Sequence, residues 1–368
     1  MIKLSSYRDF EALLLGASIY AAGGGGDPVR GLELVKRVFV DRHRALEILD
    51  VDEAGGGCTA SVYEVGTVAP SARLRKAARV ANTVARALEL LRSRLGVELS
   101  TFHPVELGGG NTAVTLYAAG LANLPVLDGD RVGRAAPEIH QDTAILFGKS
   151  LAPAVAVTPT GNEVLILSYA DVDDYEAMLR NLSILAGTHV TVIDAVMSVE
   201  EARSVLIRGS LTKCLELGKA VLEARENGIF VPRVVAEHMG GWVVMRGMVK
   251  SWRWRNEGGF LHGEMVIEGV EEHRGRVLRS LVKNEHIAAW LDGEPLVLPP
   301  DILTLLSRDG EPILNSRVVE GMEVWVVAAP APAVWRSEKG LELFGPRRFG
   351  IDIEYEPVEA LVRRLGLL

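Results

Sequence analysis

Residues 103–142 read HPVELGGGNTAVTLYAAGLANLPVLDGDRVGRAAPEIHQD. The run STFHPVEL that leads in is apolar enough for a strand, GGGN is a turn, TAVTLYAAGLA has helical spacing, and LPVLD is a second buried strand. Strand, glycine turn, helix and strand in that order make the repeating unit of an α/β sheet. Polar residues at the ends of such apolar elements mark a ligand site, or else the caps and turns of an ordinary core. Glu106, Asn111, Asp128, Asp130, Arg134, Glu138 and Gln141, the only Gln in the chain, all fall in this stretch.

The same alternation continues on both sides. Residues 5–22 predict an amphipathic helix opened by the capping pair Ser6 and Asp9. It ends at AGGGGDPVRG, after which Asp27 caps and Pro28 starts a second helix. ALEILDV and CTASVYEVG are strands around Gly55 to Gly57, and 71–95 predicts a long helix capped by Ser71, with RLRKAAR as its solvated face. Downstream, PEIHQDTAILFG predicts a helix from Pro137, APAVAVT and EVLILS two strands, 171–186 a helix from Asp171, and THVTVIDAV a strand before two more helices. From about Trp242 the period changes to two, with turns at Gly, Asn, Asp and Pro. The expectation is an α/β domain with a mixed sheet over 1–229 and a β-rich domain over 230–368, closed by the short helix PVEALVRRLG.

Composition narrows the function. The 368 residues carry a net charge of -8, against the basic stripe of a nucleic-acid binder. No apolar run reaches the roughly 18–20 residues that span a bilayer, and the N-terminus reads as a helix of the folded protein and not as a signal peptide. Two cysteines, Cys58 and Cys214, give neither a disulfide framework nor a Cys-rich zinc site, so a reducing cytoplasm is expected. A single Gln, two Cys and abundant Arg and Glu fit a thermophilic source.

Glu106 stands near the end of an apolar strand, where a carboxylate needs a partner or a proton. Asp128 and Asp130 share a side if the chain stays extended, and could hold a divalent metal, divide acid and base roles, or form a turn. Arg134 follows four residues on and can neutralise one of them. Glu138 and Gln141 share a helix face. Asn111 stands at the position of a helix cap or of a ligand contact at a helix N-terminus. GGGGDP lacks the GK[ST] ending of a phosphate loop, and its anionic Asp27 would repel phosphate; it is a tight turn, or bare backbone at Gly25 open to close approach by a substrate or another loop. No His, Cys or acidic spacing specifies zinc, so no cofactor is assigned and a divalent metal stays open. Trp252 and Trp254 alternate with Arg253 and Arg255, giving a strand one aromatic and one basic face.

Taken together, GGGGDPVRG, HPVELGGGN, LDGDRVGRAAPEIHQ, RGSL, VKNEHIA, PPDIL and APAVWRSEKGLELFGPRRFGIDIEY resemble, in the same order and over nearly the whole chain, the S-methyl-thiohydantoin desulfurase family. Glu106, Gly108, Gly109 and Asn111 fit its E-x-G-G-x-N motif; Asp128, Asp130, Gly133, Arg134, Pro137 and Glu138 fit a second, and Ala136 departs where a Phe is frequent. The resemblance implies an N-terminal α/β region of about 1–170 with 171–229 as returning helices, a β-rich C-terminal domain, and a hydrolase of a hydantoin-like ring, removing thiol from an S-alkyl-thiohydantoin. In that reading Glu106 or Asp128 is the general base. Arg134 and the N–H groups of Gly108 to Asn111 stabilise developing charge. Gly25, Asp27, Gly108, Gly109, Asn111, Asp130, Glu138, Gln141 and Asn284 bind the substrate. A homo-oligomer is expected. The alternative is a non-catalytic subunit or small-molecule-binding partner of a hydantoinase- or oxoprolinase-type enzyme.

Overall fold

A computed structural model describes residues 1–69 and 73–367. The first half runs β1 (Ile2–Leu4), α1 (Tyr7–Tyr20), α2 (Pro28–Val38), β2 (Leu46–Leu49), β3 (Cys58–Gly66), α3 (Thr83–Leu95), β4 (Thr101–Phe102), α4 (Asn111–Ala122), β5 (Val126–Leu127), β6 (Gly129–Asp130), α5 (Thr143–Leu146), β7 (Ala154–Val157) and β8 (Glu163–Ile166). Then come α6 (Val172–Ala186), β9 (His189–Ser198), α7 (Val199–Val205), β10 (Ile207–Arg208), α8 (Ser210–Glu226) and α9 (Val231–His238). The rest is β11 (Trp242–Glu257), β12 (Phe260–Gly269), β13 (Val277–Lys283), β14 (Glu285–Leu291), β15 (Glu294–Val297), β16 (Ile302–Leu306), β17 (Glu323–Ala329), α10 (Glu338–Phe344) and α11 (Val358–Arg364).

The N-terminal α/β domain holds an eight-stranded mixed sheet in the order β1-β2-β5-β4-β3-β9-β7-β8. Its centre is parallel, β2 to β5, β5 to β4 and β4 to β3, so β4 and β5 end on the same edge. Its flanks are antiparallel. The second sheet is antiparallel throughout, in the order β15-β14-β13-β12-β11-β17-β16. Period two holds there, with Leu278, Ser280 and Val282 of β13 buried and Arg279 and Leu281 exposed. Among the described residues no helix is long and apolar enough to cross a membrane.

Three local expectations are corrected. The helix predicted over 71–95 is α3 alone, capped by Asn82, whose Oδ1 accepts from the Ala85 N–H at 3.0 Å. Residues 73–80 are not helical because their N–H groups go elsewhere, Arg75 to the Ala186 carbonyl and Arg79 to that of Pro159. The expected cap, Ser71, lies outside the described residues. STFHPVEL pairs as a strand only at Thr101–Phe102; His103 still donates to the Ala60 carbonyl, and then Pro104, which has no N–H, ends the ladder. PEIHQDTAILFG is helical only in α5, capped by Asp142. Ahead of it the side chains of Gln141 and Glu176 claim the N–H groups of Glu138 and Ile139, which holds 137–142 in turns.

Candidate functional site

The two glycine loops meet. The Gly25 carbonyl accepts from the N–H groups of both Gly110 and Asn111, each at 3.0 Å. Gly25 is left-handed at φ +69°, and a Cβ there would stand 2.6 Å from the Gly108 Cα, so neither loop tolerates a side chain at the crossing. The contact places residues 23–27 over the carboxyl edge of β4 and forms one wall of a cleft of about 390 Å³. It also corrects an expectation. The N-terminus of α4 is stopped by a backbone carbonyl, and the Gly108 N–H donates to Thr112 Oγ1 at 3.0 Å, so the N–H groups of Gly108, Gly110 and Asn111 are taken within the fold.

Two buried carboxylates from the two halves of the chain face this cleft. Glu106, 6% exposed, accepts from the Ala136 N–H and from Asn111 Nδ2, both at 2.6 Å. Burial pushes its pKa up, against the pull of those donors and of Arg180 and Arg134. Glu285, at the start of β14 and 3% exposed, has its Oε2 without a hydrogen-bond partner. Burial and then the charge of Glu106 push its pKa well above the carboxylate range. A Cβ on Gly24 would stand 2.5 Å from Glu285 Cδ and 2.7 Å from its Cγ, so the bare backbone at 24 makes room for this side chain.

The side chains around the pair are fixed by partners of their own, and among the described residues Asn111 alone of them bonds to one of the two carboxylates. Asn111 is the first residue of α4 and not its cap: its amide accepts from the Glu64 N–H at 3.0 Å and donates to the Glu64 carbonyl at 3.3 Å, tying Glu106 to β3. Glu64 holds a two-point ion pair with Arg30 and lies 3.3 Å from His189 Nε2. Arg180, from α6, donates to the carbonyls of Gly66 and Gly259 and lies 3.8 Å over the Phe260 ring, with Lys283 4.4 Å from the same ring. Glu138 bridges Lys283 and Arg348; burial works against its charge, and the hydrogen bond from Lys283 overcomes it and holds its pKa low. Gln141 holds the Glu138 N–H and the Leu343 carbonyl. Asp27 caps α2 and pairs with Arg317 at 2.7 Å on the rim. Asn284, left-handed at φ +59°, spends its Oδ1 on the Leu261 N–H at 2.9 Å.

Of the predicted site residues, Gly25, Asp27, Glu106, Asn111, Glu138, Gln141 and Asn284 line the cleft. Asp128, Asp130, Arg134, Gly108 and Gly109 do not. Asp128 accepts from the Thr212 N–H at 3.0 Å and from its hydroxyl, and so holds the first turn of α8. Asp130 folds back on the N–H groups of Val132 and Gly133 at 3.0 and 2.6 Å, and burial pushes its pKa up to about 7. Arg134, wholly buried, donates to the carbonyls of Ala135, His286, Pro300 and Asp301, so it is a strut between the domains and not a charge offered to a ligand. Among the described residues no three His, Cys, Asp or Glu side chains are grouped to hold a metal ion. Cys214 is buried, and burial pushes its thiol far up, as expected of a core residue.

Sequence reasoning missed Glu285, Arg180 and the Glu64–His189 pair. Glu285 adjoins Asn284 in VKNEHIA, the one signal that pointed there.

Comparison with known proteins agrees with this architecture. Residues 8–168 match the model of the S-Me-THD-like N-terminal domain, and 170–358 that of the S-Me-THD-like C-terminal domain. A crystal structure of a protein from Chromobacterium violaceum superposes with a TM-score of 0.75 at 22% identity, covering 97% of this chain and 100% of the other, which shows a shared fold. No match is found among curated proteins. With both of its domains present in order and covering nearly all of its length, the chain belongs to the S-Me-THD-like family.

Proposed function

We propose that the protein is a hydrolase of a hydantoin-like five-membered ring, removing the thiol from an S-alkyl-thiohydantoin by attack of water. The observation that carries this reading is the meeting of Glu106 and Glu285 in one cleft: both are raised by burial, but Glu106 is held by donors that favour its charge, whereas Glu285 has a free oxygen and is pushed well above the carboxylate range. Two carboxyls in different environments divide base and acid roles.

Water adds to the ring carbon that bears sulfur. Glu106, ionised, takes a proton from the water, and Glu285, protonated, gives its proton to the ring nitrogen of the C=N bond. In the tetrahedral intermediate that forms, the C–S bond then breaks. Glu106 returns its proton to the leaving sulfur, and Glu285 recovers one from the new hydroxyl, which becomes the ring carbonyl. One water is consumed, one thiol leaves, and both carboxyls regain their starting state. Asn111 fixes Glu106 and supports its charge before the proton arrives.

The experiment is incubation with S-methyl-thiohydantoins and hydantoins, with methanethiol and ring-opened product assayed separately. Thiol release by the wild type is expected, with a fall of about 10²–10⁴-fold in kcat for Glu106→Gln and for Glu285→Gln. Absence of turnover on all of these rings, or wild-type rates in both variants, overturns the reading.

A further inference from the structure

A second cavity, of about 640 Å³, is lined in part by Lys283 and Arg348, the two cations that pair with Glu138 of the first cleft. Its cationic lining comes from Arg253 and Arg255 of β11, Lys283 of β13 and Arg348, with His262 of β12 between them. The strand register explains the grouping: Arg255 is opposite His262, which is opposite Lys283, so three strands present these groups side by side. Acidic compensation is thin. Glu264 is the one carboxylate in the lining; it is opposite Arg253 in the register, yet Arg253 has no ion pair among the described residues. Lys283 and Arg348 share the single Glu138, Arg348 reaching also to the exposed Asp173, and Arg255 pairs with the exposed Glu257. Partial burial, then Lys283 and Arg255, hold His262 below its ordinary pKa, in keeping with a positive field.

The floor is apolar. Ile287 packs with Ile351 and Phe349, and Leu281 is exposed above them. A cavity of this size with one apolar side and convergent cations has the makeup of a small-molecule site. Guanidinium groups match the oxygens of carboxylates, sulfonates and phosphates.

We propose that this cavity binds an organic anion, an acid group carried on an apolar body, with Arg253 and Arg255 on the acid and Ile287 and Phe349 under the body. Such a ligand touches Lys283 and Arg348 from the side opposite Glu138 and competes with that carboxylate for both.

The probe is 1-anilinonaphthalene-8-sulfonate, titrated by its fluorescence, with N-phenyl-1-naphthylamine as the neutral counterpart. Wild-type protein is expected to bind the sulfonate more tightly than the neutral compound, with affinity that falls as salt is raised. The double variant Arg253→Glu, Arg255→Glu, on an exposed hairpin, is expected to keep its fold by circular dichroism and to weaken sulfonate binding roughly tenfold or more. Hydrogen exchange of residues 137–142 is expected to speed up when the probe is bound, as Glu138 loses its cations. Equal affinity for the neutral compound, unchanged affinity in the double variant, or unchanged exchange at 137–142 with the probe bound each overturns the proposal. None of these readouts depends on turnover at the first cleft.

Discussion

Gly24→Ala tests the geometry of the cleft with one methyl group. The three heavy atoms nearest to a Cβ at this position all belong to Glu285, with Cδ at 2.5 Å and Cγ at 2.7 Å. Ordinary carbon contacts begin at about 3.5 Å, and Oε1 is nearer to the Cβ than Cδ is, so the carboxyl must retreat by roughly 1.5 Å. The backbone at Gly24 is outside the left-handed region, so alanine itself is not strained there. The collision should cost about 1–3 kcal/mol, the range of overpacked cores. In a Glu285→Ala background the obstacle is gone, and the same substitution should be neutral or stabilising by about 0.4–1 kcal/mol through the unfolded chain. Denaturant unfolding of the four proteins in this double-mutant cycle gives the coupling directly. The displaced carboxyl should also lower kcat for thiol release by about 10²-fold, since a shift of that size at a catalytic group has that effect. If Gly24→Ala costs the same with and without the Glu285 side chain, within about 0.5 kcal/mol, the packing argument fails.

Asp128→Ala should lower stability by about 1 kcal/mol, the worth of a helix-end hydrogen bond, while turnover per folded molecule stays at the wild-type level; denaturant midpoints and kcat on the same preparations check both halves. Asp130 holds its proton up to about pH 7 in the folded protein, whereas in the unfolded chain it releases it near pH 4. The stability it contributes is therefore complete below about pH 4 and is lost as pH rises through about 7, so Asp130→Asn should flatten that part of the stability–pH curve by up to about 1.4 kcal/mol per pH unit; unchanged slopes in urea titrations across that range refute it.

The sequence was informative where a residue's role is set by its own element. An apolar run interrupted by Glu106 pointed to a carboxylate in need of a partner, and GGGGDP allowed a tight turn or bare backbone open to a substrate or another loop; the structure brings Gly108 against Gly25. The capping pairs at Ser6 and Asp27 and the change of period near Trp242 are equally local. Roles set by a distant partner were hidden. Asp128 reads as a site residue until Thr212 is found beside it, and Glu285 reads as an unremarkable strand start until it is seen under Gly24. Arg134 carries a charge in the sequence, but its meaning lies in four carbonyls, three of them on the far domain. The long helix expected from 71 failed for a similar reason, since tertiary acceptors at Ala186 and Pro159 outweighed the helix propensity of its Ala- and Arg-rich sequence.

One feature of the first sheet bears on how such a chain can be divided. The two family regions adjoin at residues 168 and 170, yet β9, which follows that junction, is inserted between β3 and β7, both of which precede it. A gene cut at the junction would yield an N-terminal product in which β3 and β7 are each bared along the side that β9 pairs, the condition that invites edge-to-edge aggregation. With β9 from the second region in place, both of those sides are paired, so the first sheet is complete only when the two regions are present together.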